Sequence, residues 1–343
     1  MNRPARVAWL MCLMGFGGAA HAHHSYTEFD RDRTVEIEGT LLAVKWQNPH
    51  TQLEVRVGGS SEGAVWDIET GSVNSMRRQS APLDAFKVGD TVKVAGWPSK
   101  RLAGRMYATN VLGAGHELMF QTREQRWPGA TTYREAFIAS PSAAGADRGT
   151  STLFRVWAIS PDDPDTFPGF LNRFQYSLTE AAQKAVAAFD PVTQSTTSGC
   201  TPKGMPILMG QPFPIEFVDR GDTILLRLEE YDAVRTIHLP GAEPRAPQEP
   251  SLLGRSLGRW ENGSLVVETD RLDSPYFSSR GIPLSKAARM LERFSLSDDG
   301  RRLVYNLAVT DSATFTEPAH AMRAWVARDG EQVLPYDCKS PRY

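Results

Sequence analysis

At 343 residues, with 41% hydrophobic and 23% charged positions, the chain is sized for about two domains and can bury substantial cores. Its formal net charge of −2 excludes the broad positive field that draws proteins to nucleic acid or to anionic membranes.

In chain order, the first signal is one of export. Arg3 and Arg6 precede an apolar run from Val7 to Gly18, and Ala20-His21-Ala22 has the A-x-A form of a cleavage site. That is the pattern of a secretory signal peptide over residues 1–22, too short and wrongly flanked for a membrane span. It predicts a periplasmic chain with no transmembrane segment after cleavage. Processing would make His23 the mature N-terminus, with His24 next to it, so that an α-amine and an imidazole could chelate one metal together. Cys12 leaves with the signal. Cys200 and Cys338 remain, and an even pair in an exported protein reads as a disulfide, with free thiols binding a metal as the rival reading.

Residues 23–115 are dominated by strand signals. Val35, Ile37 and Leu41 alternate with Thr34, Glu36, Glu38 and Thr40, and Leu53, Val55 and Val57 alternate with Gln52, Glu54 and Arg56. Both have the period of two of half-buried strands. Asn48-Pro49-His50 breaks the pattern as a turn. Val65 to Thr70 is a third strand, Ser72 to Ser80 a short helix, and Thr91 to Trp97 and Arg105 to Leu112 are two further strands. Three strands, a helix and two strands is the order of a five-stranded OB-like barrel. Such folds often bind nucleic acid, yet an exported chain meets little of it. Arg77-Arg78 is too small a basic cluster to argue otherwise and reads as a solvated helix face.

Within this region, His23-His24-Ser25-Tyr26, Phe29-Asp30, Gly39, Trp46 and Asn48-Pro49-His50 resemble a family of small exported bacterial domains of unknown function, which carries His-His-Ser-aromatic and Asn-Pro-His at these places. The resemblance implies a family and no activity. From the residues themselves, His23, His24 and His50 with the terminal amine make a nitrogen-rich set suited to copper, with zinc second. Glu28 or Asp30 could orient a histidine or add a ligand. The competing reading leaves His23 and His24 as an unstructured terminus and makes His50 an ordinary turn residue.

Residues 116–150 read as a linker, punctuated by Pro128-Gly129 and Ser140-Pro141-Ser142. Residues 151–343 read as an antiparallel β domain, a curved sheet or lipocalin-like barrel, with one packed helix at about 178–189. The helix is expected to start from a Ser177/Glu180 capping box and to stop at Asp190-Pro191. Asp219-Arg220-Gly221-Asp222, Asn262-Gly263 and Asp298-Asp299-Gly300 mark hairpins. The runs Gly258-Arg259-Trp260-Glu261 and Leu265 to Thr269 faintly resemble other uncharacterised exported bacterial domains. Gly254-Arg255-Ser256-Leu257-Gly258 matches the nucleophile elbow G-x-S-x-G, but it follows a Pro-rich loop and enters a hairpin, where the elbow needs a strand before it and a helix after it. His238 and His320 could join Glu229, Glu230, Glu268 or Glu292 in acid–base work, and pairing with Arg235, Arg259 or Arg293 is the simpler reading.

Together these features predict a mainly β, periplasmic binding protein with a copper site at its mature N-terminus. The second domain would bind a small apolar ligand or an envelope protein. The alternatives are a metal-independent envelope scaffold and, behind it, a hydrolase or a copper-dependent oxidase.

Overall fold

The computed structural model describes residues 28–58, 63–137, 152–160, 165–166, 175–191, 194, 200–242 and 248–339. The signal-peptide reading, His23 and His24 lie outside the described residues. Two β barrels make up the fold.

The first barrel uses β1 (Val35–Lys45), β2 (Gln52–Val57), β3 (Ala64–Glu69), β4 (Thr91–Pro98) and β5 (Arg105–Gly113), with α1 (Val73–Arg77) between β3 and β4. β1 pairs antiparallel with β2 and β4, β2 with β3, and β4 with β5. A parallel β3–β5 junction, Asp67 to Arg105 and Glu69 to Tyr107, closes the ring. This is the OB-like order. The inward residues of the period-two strands, among them Leu41, Val55, Ile68, Val94 and Met106, form its core. Gly96 is needed where β4 bulges against β5, because a Cβ there would lie 2.1 Å from the Tyr107 carbonyl oxygen.

The linker expected over 116–150 begins otherwise. β6 (His116–Met119) pairs with β5, and β7 (Thr131–Arg134) pairs parallel with β6, so both extend the first barrel's sheet. Glu117 fixes the loop between them by accepting from the backbone N–H of Arg126 and Trp127 at 2.8 and 3.2 Å.

The second barrel has nine strands: β8 (Val156–Ala158), β9 (Ile215–Asp219), β10 (Thr223–Leu228), β11 (Ala233–His238), β12 (Arg255–Glu261), β13 (Ser264–Asp270), β14 (Arg289–Leu296), β15 (Arg302–Thr310) and β16 (Ala319–Ala327). They close in the order β10 to β16, then β8, then β9. All neighbours run antiparallel except β11 and β12, which the Pro-rich loop joins as a parallel pair.

Among the described residues, aromatic side chains occupy its lumen. The rings of Phe217, Phe294, Tyr305 and Trp325 follow one another across it at centroid distances of 5.2, 4.9 and 5.6 Å. Beside them Arg235 donates to Glu292 (Nη1 to Oε1, 2.9 Å) and Ser256 (Nε to Oγ, 2.8 Å), and the Tyr305 hydroxyl donates to Glu292 at 2.8 Å. Ser256 of the G-x-S-x-G match is therefore a buried strand residue bound to an arginine, and no nucleophile elbow forms.

α2 (Glu180–Ala188) is shorter than expected at its start. Thr179, not Ser177, is the N-cap, its hydroxyl accepting from the Ala182 N–H at 3.2 Å. Ala182 is buried, and Leu178 and Val186 pack on the barrel.

Cys200 and Cys338 form a disulfide with Cα atoms 5.7 Å apart. Closing a loop of 138 residues restricts the unfolded chain by about 5 kcal/mol in the chain-entropy model. No helix among the described residues is long and apolar enough to cross a membrane.

Candidate functional site

The turn between β1 and β2 carries His50 at the rim of the first barrel. Its Nδ1 lies 2.9 Å from the Thr70 carbonyl oxygen. A carbonyl only accepts, so Nδ1 holds a proton, and in the neutral form of the ring the lone pair is on Nε2. Nδ1 is also 3.6 Å from Glu69 Oε1, and the ring stands edge-on to Tyr107, 6.4 Å between centroids. The side chain is 31% exposed, so the ring is fixed by buried partners yet still reaches solvent.

Glu69 is the inner end of a chain of charges. Arg105 donates from Nη2 to Glu69 at 3.0 Å, pairs with Asp67, and sets Nε 3.2 Å from Glu28 Oε1. Ser99 donates to the same Glu28 oxygen at 2.9 Å. The parallel β3–β5 junction builds this chain, because its register places Asp67 and Glu69 opposite Arg105 and Tyr107. Glu28, the first described residue, is thereby bound to the ions behind His50.

Two more carboxylates feel His50. Glu135 lies over Gly71, where an added Cβ would be 2.2 Å from its Oε1. It accepts from the hydroxyl of Ser75 at 3.2 Å and from the Gln121 amide at 3.2 Å. Burial nevertheless raises this carboxyl above its ordinary range, although those bonds and His50 pull it down. Glu230, from the second barrel, is buried and raised in the same way, with the Lys203 ammonium 2.6 Å away and His50 opposing.

The His50 turn also lies on the seam between the barrels. Asn48 donates from Nδ2 to the Tyr336 carbonyl at 2.5 Å and accepts from the Ser72 hydroxyl at 2.5 Å. Its own carbonyl accepts from the Lys339 N–H at 3.0 Å. At the C-cap of α1, Arg78 donates Nη1 to Glu229 Oε1 at 2.7 Å and Nε to Glu331 at 3.1 Å, and Asn74 within the helix donates to Glu229 at 3.1 Å. The reading of Arg77-Arg78 as a solvated face thus holds for Arg77 and fails for Arg78, which is buried in an ion pair. Burial pulls the Arg78 guanidinium down, and Glu229 outweighs it, leaving the group more firmly protonated than usual.

Across the seam, Tyr231 and Asp232 both take left-handed backbone angles, φ 60° and 52°. Non-glycine residues pay strain there. The turn aims Asp232 at the C-terminal strap, where it accepts the N–H of Tyr336 at 2.8 Å and of Asp337 at 3.1 Å.

Of the expected site residues, His50 sits in this constellation and the other two histidines are outside the described residues. Among the described residues, no group of three or more His, Cys, Asp or Glu side chains is arranged to hold a metal ion. Among the described residues, no hydrogen bond or ion pair joins His238 or His320 to a carboxylate. His238 faces Thr223 across β10 and β11, and His320 lines an outer cleft with Arg259, Arg293, Leu291 and Met322. Arg78, Glu229, Glu135 and Asp232 carried no local signal, since their partners are distant in sequence.

Residues 11–106 match a family of unknown function, DUF6152. The match covers the region of the His-His-Ser and Asn-Pro-His resemblance and stops just inside β5. No curated protein matches the chain. Among solved structures, the chain has a likeness to the crystal structure of the ZRD-deleted mutant of TiaS in complex with agmatine, at 13% identity and a TM-score of 0.19. That likeness covers 30% of this chain and 29% of the other, and at such a score the two folds are not shown to correspond.

Proposed function

We propose that this chain is an exported, periplasmic binding protein whose first barrel takes a transition metal, copper before zinc, through His50 together with His23 and His24. One observation carries the reading. The Thr70 carbonyl, backed by Glu69, holds the proton of His50 on Nδ1 and turns Nε2 into the donor, which is how proteins orient a ligating histidine. Glu28 supports it. This residue, four positions after His24 in the sequence, is tied through Arg105 to the charges behind His50. An imidazole-rich set with an amine favours Cu(II) by ligand type and by the Irving–Williams order.

The second barrel fits a ligand- or partner-binding role through its outer wall, because its lumen is packed. A cleft of about 540 Å³ there exposes Leu291 and Met322 between Arg259, Arg293 and His320. That cleft also favours a second reading, a metal-independent envelope scaffold.

A Cu(II) titration of protein processed to begin at His23 separates them. The metal reading expects one-to-one binding that weakens at least tenfold in His50→Ala and in a form with a methionine left before His23. Equal affinity in all three, or no binding, leaves the scaffold.

A further inference from the structure

The C-terminal strap, residues 331–339, is gripped from three sides. The second barrel holds it through Glu229, which accepts the Leu334 N–H at 3.0 Å, and through Asp232. Its buried Tyr336 packs on Phe213 and Tyr231, with ring centroids 5.4 and 5.3 Å away. The first barrel holds it through Asn48, Asn74 and Arg78, Asn74 donating to the Pro335 carbonyl at 3.1 Å and Arg78 to the Gln332 carbonyl at 3.0 Å. The third grip is covalent, the bond from Cys338 to Cys200.

These grips are unevenly spread. Before Tyr336 the strap has a buried ring, two carboxylate acceptors and two donors from α1 and its C-cap. Beyond Tyr336 it has the Asp337 N–H on Asp232, the Lys339 N–H on the Asn48 carbonyl, and the disulfide. Cys338 itself pairs alongside Asn48 in a parallel bridge. Asn48 is two residues from His50 in the same turn. Without the disulfide, residues 337–339 would be held by the Asp337 N–H on Asp232 and the Lys339 N–H on the Asn48 carbonyl, and a segment tied so lightly opens locally. Fraying there removes a wall of the turn that presents His50.

We infer that the Cys200–Cys338 disulfide is a positioning element of the His50 site, linking the thiol state of the second barrel to ligand affinity on the first. The inference rests on the metal reading above for the identity of the ligand, and on the strap contacts alone for the coupling. Both cysteines are partly exposed, so a dithiol reductant can reach them. Its thiolate attacks one sulfur, expelling the other cysteine as a thiolate and leaving a mixed disulfide, and its second thiolate then attacks the reductant's own sulfur in that bond and expels the remaining cysteine. The protein's S–S bond is exchanged for one in the reductant, and two electrons and two protons appear as the thiols of Cys200 and Cys338. Linkage makes the effect reciprocal: metal on His50 resists reduction of the pair by the factor that reduction weakens the metal.

The test compares the intact protein, the same protein reduced with a phosphine, and Cys200→Ser/Cys338→Ser, by NMR-detected hydrogen exchange. We expect the Lys339 amide and the His50 Nδ1 proton to exchange at least ten times faster in both forms that lack the disulfide, with the Leu307 amide in β15 unchanged. The double variant should also bind Cu(II) at least fivefold more weakly. Exchange at Lys339 and His50 that stays at the intact rate overturns the inference, whether or not copper binds. Faster exchange in a protein whose intact form takes no copper retires the metal reading and leaves the coupling standing.

Discussion

Both barrels close with an odd number of strands, and directions cannot alternate all the way round an odd ring. Each therefore has one parallel junction, β3–β5 in the first and β11–β12 in the second. The two junctions handle charge differently. In the first, the register lines up Asp67, Glu69 and Arg105 at a rim where the partly exposed His50 completes the group. In the second, Arg235, Glu292, Ser256 and Thr269 meet inside the lumen and satisfy one another with no access to water. A saturated network in a packed lumen serves stability and specificity of packing. A half-open one leaves its histidine within reach of solvent.

Breaking the second network should give the largest effect. Glu292→Leu leaves the Arg235 guanidinium buried without its carboxylate, and urea denaturation should show a loss of about 3–5 kcal/mol. Arg235→Met/Glu292→Leu should recover most of it, because the pair is replaced by apolar volume; an equal loss in the double variant would mean that the ions do more than balance each other. Arg78→Met strands Glu229 at the seam and should cost about 3 kcal/mol, while Arg77→Met, on the exposed side of the same helix, should change stability by less than about 0.5 kcal/mol. Ser256→Ala removes one of several partners of Arg235 and should cost only about 1–2 kcal/mol.

The rim is sharpened by pH. Burial raises the Glu135 carboxyl above the ordinary value of 4.5 that it has in the unfolded chain. The folded state thus holds this proton more tightly, so its contribution is fully present below 4.5 and is lost as pH rises through the higher folded value. Glu135→Gln should therefore gain stability on the parent protein as pH increases from 4.5 toward neutrality. Denaturation midpoints that keep a constant offset across that range would show that Glu135 ionises at its ordinary value.

Much of the β architecture was legible because its strands have one wet face. Alternation at Val35 to Leu41 and Leu53 to Val57 marked β1 and β2, and Asn262-Gly263 marked the turn from β12 to β13. β6 and β7 were hidden by brevity, four residues each in a stretch rich in turn residues. Thr179 displaced Ser177 as the cap because Leu178 and Ser177 are drawn against Phe315 and Thr316, which delays the first helical turn. The site was legible only at His50, where a histidine in a turn stands out. Its supports were not, since Arg78 meets Glu229 across 151 residues and Asn48 meets Tyr336 across 288.

The pairing of β8 with β16 has a consequence for the order in which the molecule comes together. Among the described residues, every strand of the first barrel and its extension has been made by residue 134, and no pairing among those strands waits for anything later. The second barrel's opening strand, Val156–Ala158, must wait for Val326 and Ala327 to arrive before the ring can shut. During synthesis the early barrel can thus be finished while the late one is still an open sheet with two bare edges. The late barrel is the part of the chain that a holdase would have most reason to guard.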